Sequence, residues 1–200
     1  MKQLYFLDCS PHREGSLGVR QVREMLDGPD APRVRARSLA GQPLAPLSAQ
    51  YAQGITSGAA HDDPAFALSE QLIGELEDSD ALLISTPMHN FTVPAALKLW
   101  LDYVLRKGRS FTVTPDGKVG LLRDRPTLVL VRSGAAFLGS EARQPDFLTA
   151  YLRYALSILG LHDVRFVYLQ GLAPQAEDLA LARRALAAFL HPAILTGDLS

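Results

Sequence analysis

The sequence predicts a three-layer α/β domain built on an open parallel sheet. Short apolar runs alternate with stretches of helical periodicity from one end of the chain to the other. The runs are near-continuous in Leu, Val and Ile, the pattern of strands covered on both faces. A chain of 200 residues, 48 % hydrophobic and 20 % charged, suits one globular domain rather than a disordered protein.

The first strand is expected over Gln3–Asp8 (QLYFLD). Val19, Val22 and Leu26 then recur at helical spacing. Val34–Ser38 is a weaker strand, placed where the second in chain order belongs. Ala40–Pro64 is rich in Gly, Pro, Ala and Ser and shows no period. So long an irregular stretch in a compact domain is usually functional or lies against a partner, as a lid or a dimer contact. Within it, Asp62-Asp63 reads as a solvated pair that caps the next helix. Leu68, Leu72, Ile73 and Leu76 make that second helix, and Asp80–Thr86 the next buried strand. Leu97, Trp100, Leu101 and Val104 form a helix with a wide apolar face, so Trp100 belongs to the core or to a dimer interface. Lys107–Arg125 carries Thr114-Pro115-Asp116-Gly117, a turn between two short alternating pieces, hence a surface hairpin. Pro126–Arg132 is a strand, Tyr151, Leu152, Ala155, Leu156 and Leu159 a helix, Asp163–Leu169 the last strand, and Leu179, Ala182, Leu186, Phe189 and Leu190 the last helix. Alternation of this kind calls for right-handed crossovers. Five strands and five helices fit the doubly wound, flavodoxin-like order, and residues 1–200 read as a single domain.

Composition narrows the function. A formal net charge of -1 gives no basic field for nucleic acid or a membrane surface. No run approaches the roughly 18 apolar residues of a membrane span, and the N-terminus lacks the pattern of a signal peptide. Cys9 is the one cysteine, expected to be buried and without an intramolecular disulfide. His12, His61, His162 and His191 are scattered without metal-ligand spacing, so no metal is expected. The cytoplasm is the expected location.

In open α/β sheets, ligands bind outside the carboxyl ends of the strands, where strand order reverses. Three loops leave such ends. Ser10–Gly18 runs into a helix, whose N–H groups and dipole favour a phosphate, with Ser10 and Ser16 as further donors. Ser16 is equally suited to be an ordinary N-cap. Neither G-x-G-x-x-G nor a P-loop is present, and Gly15 stands where a cysteine phosphatase beginning at Cys9 needs arginine. Thr86–Pro94 mixes apolar and amide side chains that suit a planar heteroaromatic ring. Met88 and Phe91 can pack beside such a ring and Asn90 can bond its polar edge; core packing and a turn are the plainer alternatives. Arg132–Phe137 holds Gly134, which permits close backbone approach or simply makes a tight turn.

Taken together, these residues resemble the FMN-dependent NADH-azoreductases, a branch of the flavodoxin-like NAD(P)H:quinone oxidoreductases. Ser10-Pro11 through Ser16-Leu17-Gly18 resembles the family's phosphate loop. Pro87-Met88-His89-Asn90-Phe91 resembles its P-M-[YFWH]-N-F signature, the most specific piece. Leu97-Lys98, Trp100 and Asp102, then Gly108–Thr114, Arg132-Ser133-Gly134-Ala135 and Gly160-Leu161-His162-Asp163-Val164 continue the likeness over nearly the whole chain. The resemblance implies a homodimer with FMN at its interface. It also implies ping-pong transfer from NADH or NADPH, through FMN, to a quinone or azo compound. By the same resemblance Ser10, Ser16, Leu17 and Gly18 hold the phosphate. Met88, His89, Asn90 and Phe91 hold the isoalloxazine, and Arg132, Ser133, Gly134 and Ala135 meet its pyrimidine end.

The chain departs from the family in places. Gly18 stands where serine is frequent, His89 where tyrosine is common, and Ala135 where glycine is common. Val113 and Ile158 stand where some members place aromatics near the acceptor. His89 is a candidate proton donor at the flavin edge, with simple packing as the alternative. Three other readings are a flavodoxin-type electron carrier, an FMN reductase that releases reduced flavin, and an interaction protein that has lost its flavin. The low net charge and the long Ala40–Pro64 segment speak against the carrier.

Overall fold

The computed structural model describes residues 1–28 and 31–191; residues 192–200 of the expected domain lie outside the described residues. The elements are β1 (Gln3–Asp8), α1 (Leu17–Leu26), β2 (Arg33–Ser38), α2 (Ala49–Ser57), α3 (Ala67–Glu77), β3 (Ala81–Pro87), α4 (Ala95–Val104), β4 (Phe111–Thr114), β5 (Gly117–Gly120), β6 (Thr127–Arg132), α5 (Leu148–Leu159), β7 (Val164–Leu169) and α6 (Ala176–Leu190). Five strands form a parallel sheet in the order β2-β1-β3-β6-β7, and β4 pairs antiparallel with β5 as the expected hairpin. This is the flavodoxin-like doubly wound order.

Side-chain alternation divides each central strand between two cores. Leu4 and Phe6 face α1 and α6, with Leu83, Leu128 and Leu130; Tyr5 and Leu7 face the α3, α4 and α5 side, with Leu82, Ile84, Val129 and Val131. Each such buried side chain contributes about 1.5–3 kcal/mol relative to exposure. Trp100 is fully buried in the second core, which settles its alternative in favour of the core. β2 reads weakly in sequence because it is an edge strand. Its arginines are solvated or paired, Arg35 with Asp78 at 3.2 Å and Arg37 with Glu75, rather than packed under a helix. Glu75 also accepts from the Tyr5 hydroxyl at 2.8 Å and from Arg37 Nε at 2.8 Å. Burial pushes the Glu75 carboxyl up, but the Arg37 guanidinium and the Tyr5 hydroxyl together hold it below the usual carboxylate range.

Ala40–Pro64 is not irregular throughout, contrary to the sequence expectation. α2 forms inside it, capped by the Ser48 side chain on Tyr51 N and ended by Gly58 in the left-handed conformation. The helix buries only Tyr51 and Gly54, so it has no apolar stripe to detect. Tyr51 anchors it edge-on to Phe66 at 5.4 Å and to Tyr103 at 5.3 Å, and Gly54 lies so close to the Phe66 ring that a Cβ would meet it at 2.9 Å. Asp63 caps the short 3-10 turn Pro64–Phe66 by accepting from Ala65 N, rather than the helix α3 that follows it, whose N-cap Phe66 makes no side-chain cap. Arg106, 1 % exposed, fastens the turn after α4 through Glu70, Ser69 and the face of Phe66.

The hairpin docks on the end of α5 at two glycines. A Cβ on Gly120 would overlap the backbone of Leu159 and Gly160, and Leu122 N donates to Leu159 O at 3.1 Å. Backbone cannot yield as a flexible side chain does, so Gly120→Ala should destabilise the fold by about 3 kcal/mol. Gly74→Ala, mid-helix in α3 with nothing within 4 Å of the new carbon, should instead stabilise by roughly 1 kcal/mol. Urea unfolding of both variants checks the pair; equal shifts would contradict the close approach at Gly120.

Candidate functional site

The sheet order places the reversal point between β1 and β3, whose crossovers leave toward opposite faces. The carboxyl ends of β1, β3 and β6 lie side by side there, with Asp8 opposite Ser85 and Pro87 opposite Arg132. The three loops expected to carry function all start from these ends.

The first loop is organised by Asp8, which in the sequence shows only as a break in an apolar run. Its buried carboxylate accepts from Ser10 N at 2.9 Å. A charged residue at the inner end of a buried strand was the available signal. Ser10 Oγ in turn accepts from His12 N at 3.3 Å. Ser16 is the N-cap of α1, accepting from Val19 N at 3.5 Å. Both hydroxyls are used as acceptors by the backbone, which leaves their protons for a ligand. Leu17 and Gly18 occupy the first turn, where N–H groups have no intrahelical acceptor, and α1 has no acidic residue in that turn. This donor set suits a phosphate. Gly18 also has a packing reason: a Cβ there would meet Ser85 Oγ at 2.9 Å, so a side chain would press on β3. Beside this loop Cys9 is buried; desolvation first, and the Asp8 carboxylate second, push its thiol well up.

The second loop is a tight reversal. His89 N donates to Thr92 O at 2.9 Å and Thr92 N to His89 O at 3.1 Å. Between them Asn90 and Phe91 both have positive φ, 47° and 74°. That backbone is the two-residue hairpin turn normally made by Asn and Gly. Phe91 in the left-handed region is strained by roughly 1–3 kcal/mol. The turn leaves Phe91 45 % exposed and puts the Asn90 and Phe91 N–H groups outside the ladder. Met88 takes the opposite fate: it is buried in the core and its N–H bonds Arg132 O at 2.8 Å. His89 is exposed, and its imidazole makes no hydrogen bond among the described residues. Pro94 caps α4, one position before its first residue.

In the third loop the Arg132 guanidinium donates to Ser133 O, to Leu169 O at 3.2 Å and to Leu172 O at 2.9 Å, clamping the loop after β7. Burial lowers its pKa from the ordinary arginine value. Ser133 Oγ accepts from Ala135 N at 3.3 Å, and the space above Gly134 meets only Leu172, which is 89 % exposed. Two glutamines that sequence reasoning missed complete the frame. Gln170 Oε1 accepts from Phe137 N at 2.8 Å and Leu138 N at 2.9 Å, and Gln144 Nε2 donates to Ser133 Oγ at 3.2 Å and Met88 Sδ at 3.3 Å. Phe147 N donates to Phe91 O at 3.0 Å, tying the far end of this segment to the strained turn. Gln170 follows a strand end and was legible as a loop residue; nothing in the sequence marked Gln144.

Val113 and Ile158 are not brought to these loops. Val113 is exposed on the hairpin, and Ile158 is buried toward the far end of α5, where the hairpin docks. Among the described residues no group of three or more His, Cys, Asp and Glu is arranged to hold a metal ion. No helix among them is long and apolar enough to cross a membrane.

A parallel sheet in this order, with phosphate-type and ring-type loops meeting at its reversal point, defines a mononucleotide-binding α/β domain. The chain belongs to the flavodoxin-like fold family, whose profile matches residues 2–190. It is 54 % identical over 201 aligned positions to an FMN-dependent NADH:quinone oxidoreductase of Burkholderia lata, covering 92 % of this chain and 98 % of that protein. It is also 54 % identical over 177 positions to another protein of that name from Pseudomonas fluorescens, covering 86 % and 85 %. Among solved structures, an azoreductase from Bacillus anthracis superposes with a TM-score of 0.78 at 18 % identity, covering 96 % and 100 % of the two chains. An FMN-dependent NADH-azoreductase from the same species, crystallised in complex with FMN, gives 0.73 at 19 % identity, covering 93 % and 96 %. These structural likenesses speak for the fold, and the sequence relatives confirm the family that the motifs resemble.

The strain at Phe91 is measurable. Phe91→Gly should stabilise the ligand-free protein by about 1 kcal/mol, since glycine adopts φ 74° without penalty. The same variant should weaken FMN binding several-fold, because the exposed ring is lost. Urea unfolding and flavin fluorescence titration read the two effects; a destabilised protein would mean that the turn is not strained.

Proposed function

We propose that this chain is an FMN-dependent oxidoreductase that takes hydride from NADH and passes electrons to a quinone. The observation that carries the reading is the meeting, at the β1/β3 reversal, of the free N–H groups and hydroxyls of the first loop with the strained, outward-facing Asn90-Phe91 turn. The names of the relatives at 54 % identity support it. When bound, FMN supplies a two-electron carrier between the nicotinamide and the acceptor.

The chain's own residues bind and orient. Ser10 and Ser16 donate their hydroxyl protons, and Leu17 and Gly18 their N–H groups, to the phosphate. Asn90, Phe91 and His89 flank the ring, with Met88 supporting it from the core. Ser133, Gly134 and Ala135 meet its pyrimidine end, where the Gly134 N–H and the Ser133 hydroxyl would stabilise the negative charge of the reduced ring, the Ser133 and Ala135 N–H groups being engaged by Leu169 O and Ser133 Oγ. Arg132 contributes by holding the β6 and β7 loops together. His89 packs at the edge, its imidazole having no hydrogen-bond partner among the described residues to orient it for proton transfer. Phe91, Phe147, Leu138 and Leu172 are exposed on the loops around the site, a rim that favours an apolar, planar acceptor; azo compounds share that shape.

We further propose a homodimer, formed in the cytoplasm where NADH is supplied. Val119 and Leu121 leave one face of the hairpin with exposed apolar side chains, and Val113 is exposed on the other, opposite Lys118. A second copy packs over the hairpin and brings Val113 to the partner's flavin. Val113→Asp with Val119→Asp should therefore convert dimer to monomer in sedimentation velocity, with folding retained. A monomeric parent protein would reject this assembly.

The functional reading is tested by the absorbance spectrum of protein loaded with FMN and freed of excess. A flavin band that stays with the protein and bleaches on anaerobic NADH is expected. A retained band that NADH leaves unchanged would favour an electron carrier, and loss of flavin on reduction would favour an FMN reductase.

A further inference from the structure

We propose that Gln144 is a positioning residue that fixes the Ser133 hydroxyl as a hydrogen-bond donor toward the flavin ring. The inference rests on the flavin reading above. Ser133 is buried, and its Oγ accepts two hydrogen bonds, from Ala135 N at 3.3 Å and from Gln144 Nε2 at 3.2 Å. A hydroxyl has two acceptor lone pairs and one proton. With both lone pairs engaged, the proton is left for a ligand, and no acceptor takes it among the described residues.

The orientation of the Gln144 amide is decisive, because a flipped amide would present oxygen to Ser133 and draw its proton inward. Met88 settles it. Its thioether sulfur lies 3.3 Å from the same amide nitrogen and carries no proton, so it can only accept. An amide oxygen at that position would face a second acceptor. Nε2 therefore points at both Met88 and Ser133, and Gln144 bridges the loops after β3 and β6 while setting the polarity of the hydroxyl. The segment that carries Gln144 is held on either side, by Gln170 at Phe137 and Leu138 and by Phe91 O at Phe147 N. The side chain is thus presented at a fixed place without regular secondary structure.

A donor aimed at the pyrimidine end interacts more strongly with the reduced ring, which gains negative charge there, than with the oxidised one. Gln144 should accordingly favour binding of reduced over oxidised FMN. Gln144→Leu removes the bridge and frees the hydroxyl to rotate. It should weaken oxidised FMN binding about threefold and reduced FMN binding about tenfold more than that, a fall in two-electron midpoint potential of about 30 mV. Gln144→Glu should lower it further, since a carboxylate captures the Ser133 proton. Ser133→Ala should lower it by about as much as Gln144→Leu, and adding Gln144→Leu to Ser133→Ala should change nothing more.

The measurements are FMN affinity by fluorescence quenching and midpoint potential by equilibration with a reference dye, with the melting temperature of the apoprotein as a control for folding. A Gln144→Leu potential equal to that of the parent, or a fall equally large with and without Ser133, would overturn the inference while leaving the flavin reading intact. A parent protein that retains no FMN would overturn both.

Discussion

Everything at the site depends on the reversal of winding between β1 and β3. Parallel strands need crossovers, and a right-handed crossover covers one face when the chain steps one way and the other face when it steps back. Stepping from β1 to β2 puts α1 on one side, and stepping from β3 to β6 puts α4 on the other. The two connections part at the carboxyl edge and leave a crevice that no crossover fills. Its walls are necessarily a helix N-terminus and a strand-end loop. The first supplies backbone donors without needing particular side chains; the second is free to be shaped for a ring.

The shape of that second wall is obtained by strain. Asn tolerates the left-handed region and Phe does not, yet both sit in it at positions 90 and 91. The turn persists because its surroundings over-determine it. Below, Met88 is buried and registered on Arg132; across, His89 and Thr92 exchange two backbone bonds; beyond, Phe147 N holds Phe91 O. These contacts commit an aromatic ring to solvent, an arrangement that burial alone would never select. A glycine would make the same turn more easily and present no surface.

The sheet and most helices were legible because their chemistry is periodic. β3 and β6 are continuous apolar runs, and α1, α4 and α5 bury regular stripes. β2 was faint because one edge of it belongs to water, and Arg33, Arg35 and Arg37 there report exposure rather than helix or loop. α2 was invisible because it docks through one tyrosine and one glycine, and a single large side chain sets no apolar period. The loops of the site were legible as places, from strand ends and the P-M-H-N-F signature, but roles within them were less so. Arg132 read as a neighbour of the ring, and its clamp on three carbonyls was not legible, since a side chain's direction follows from neighbours far along the chain. Gln144 and Gln170 act across separations of 56 and 33 positions. No local pattern encodes such contacts.

Those two glutamines answer a problem that the fold itself creates. Between Arg132 and Leu148 the chain leaves the sheet without helix or strand, so its backbone groups must find acceptors one at a time. A primary amide is suited to this: it carries donors and acceptor on one rigid group without charge, so it can bind two partners near a ligand without adding a field of its own. Gln170 places its oxygen on two adjacent N–H groups and fixes the backbone at Phe137 and Leu138. Gln144 places its nitrogen on a sulfur and a hydroxyl and fixes side chains instead. A lysine at either place would bring a charge that FMN must accommodate, and a serine would not reach. The segment thus gains definition at the points where it borders the site, while between them local bonds, from Arg143 N to Ala136 O and from Leu148 N and Thr149 N to Asp146 Oδ1, carry the backbone.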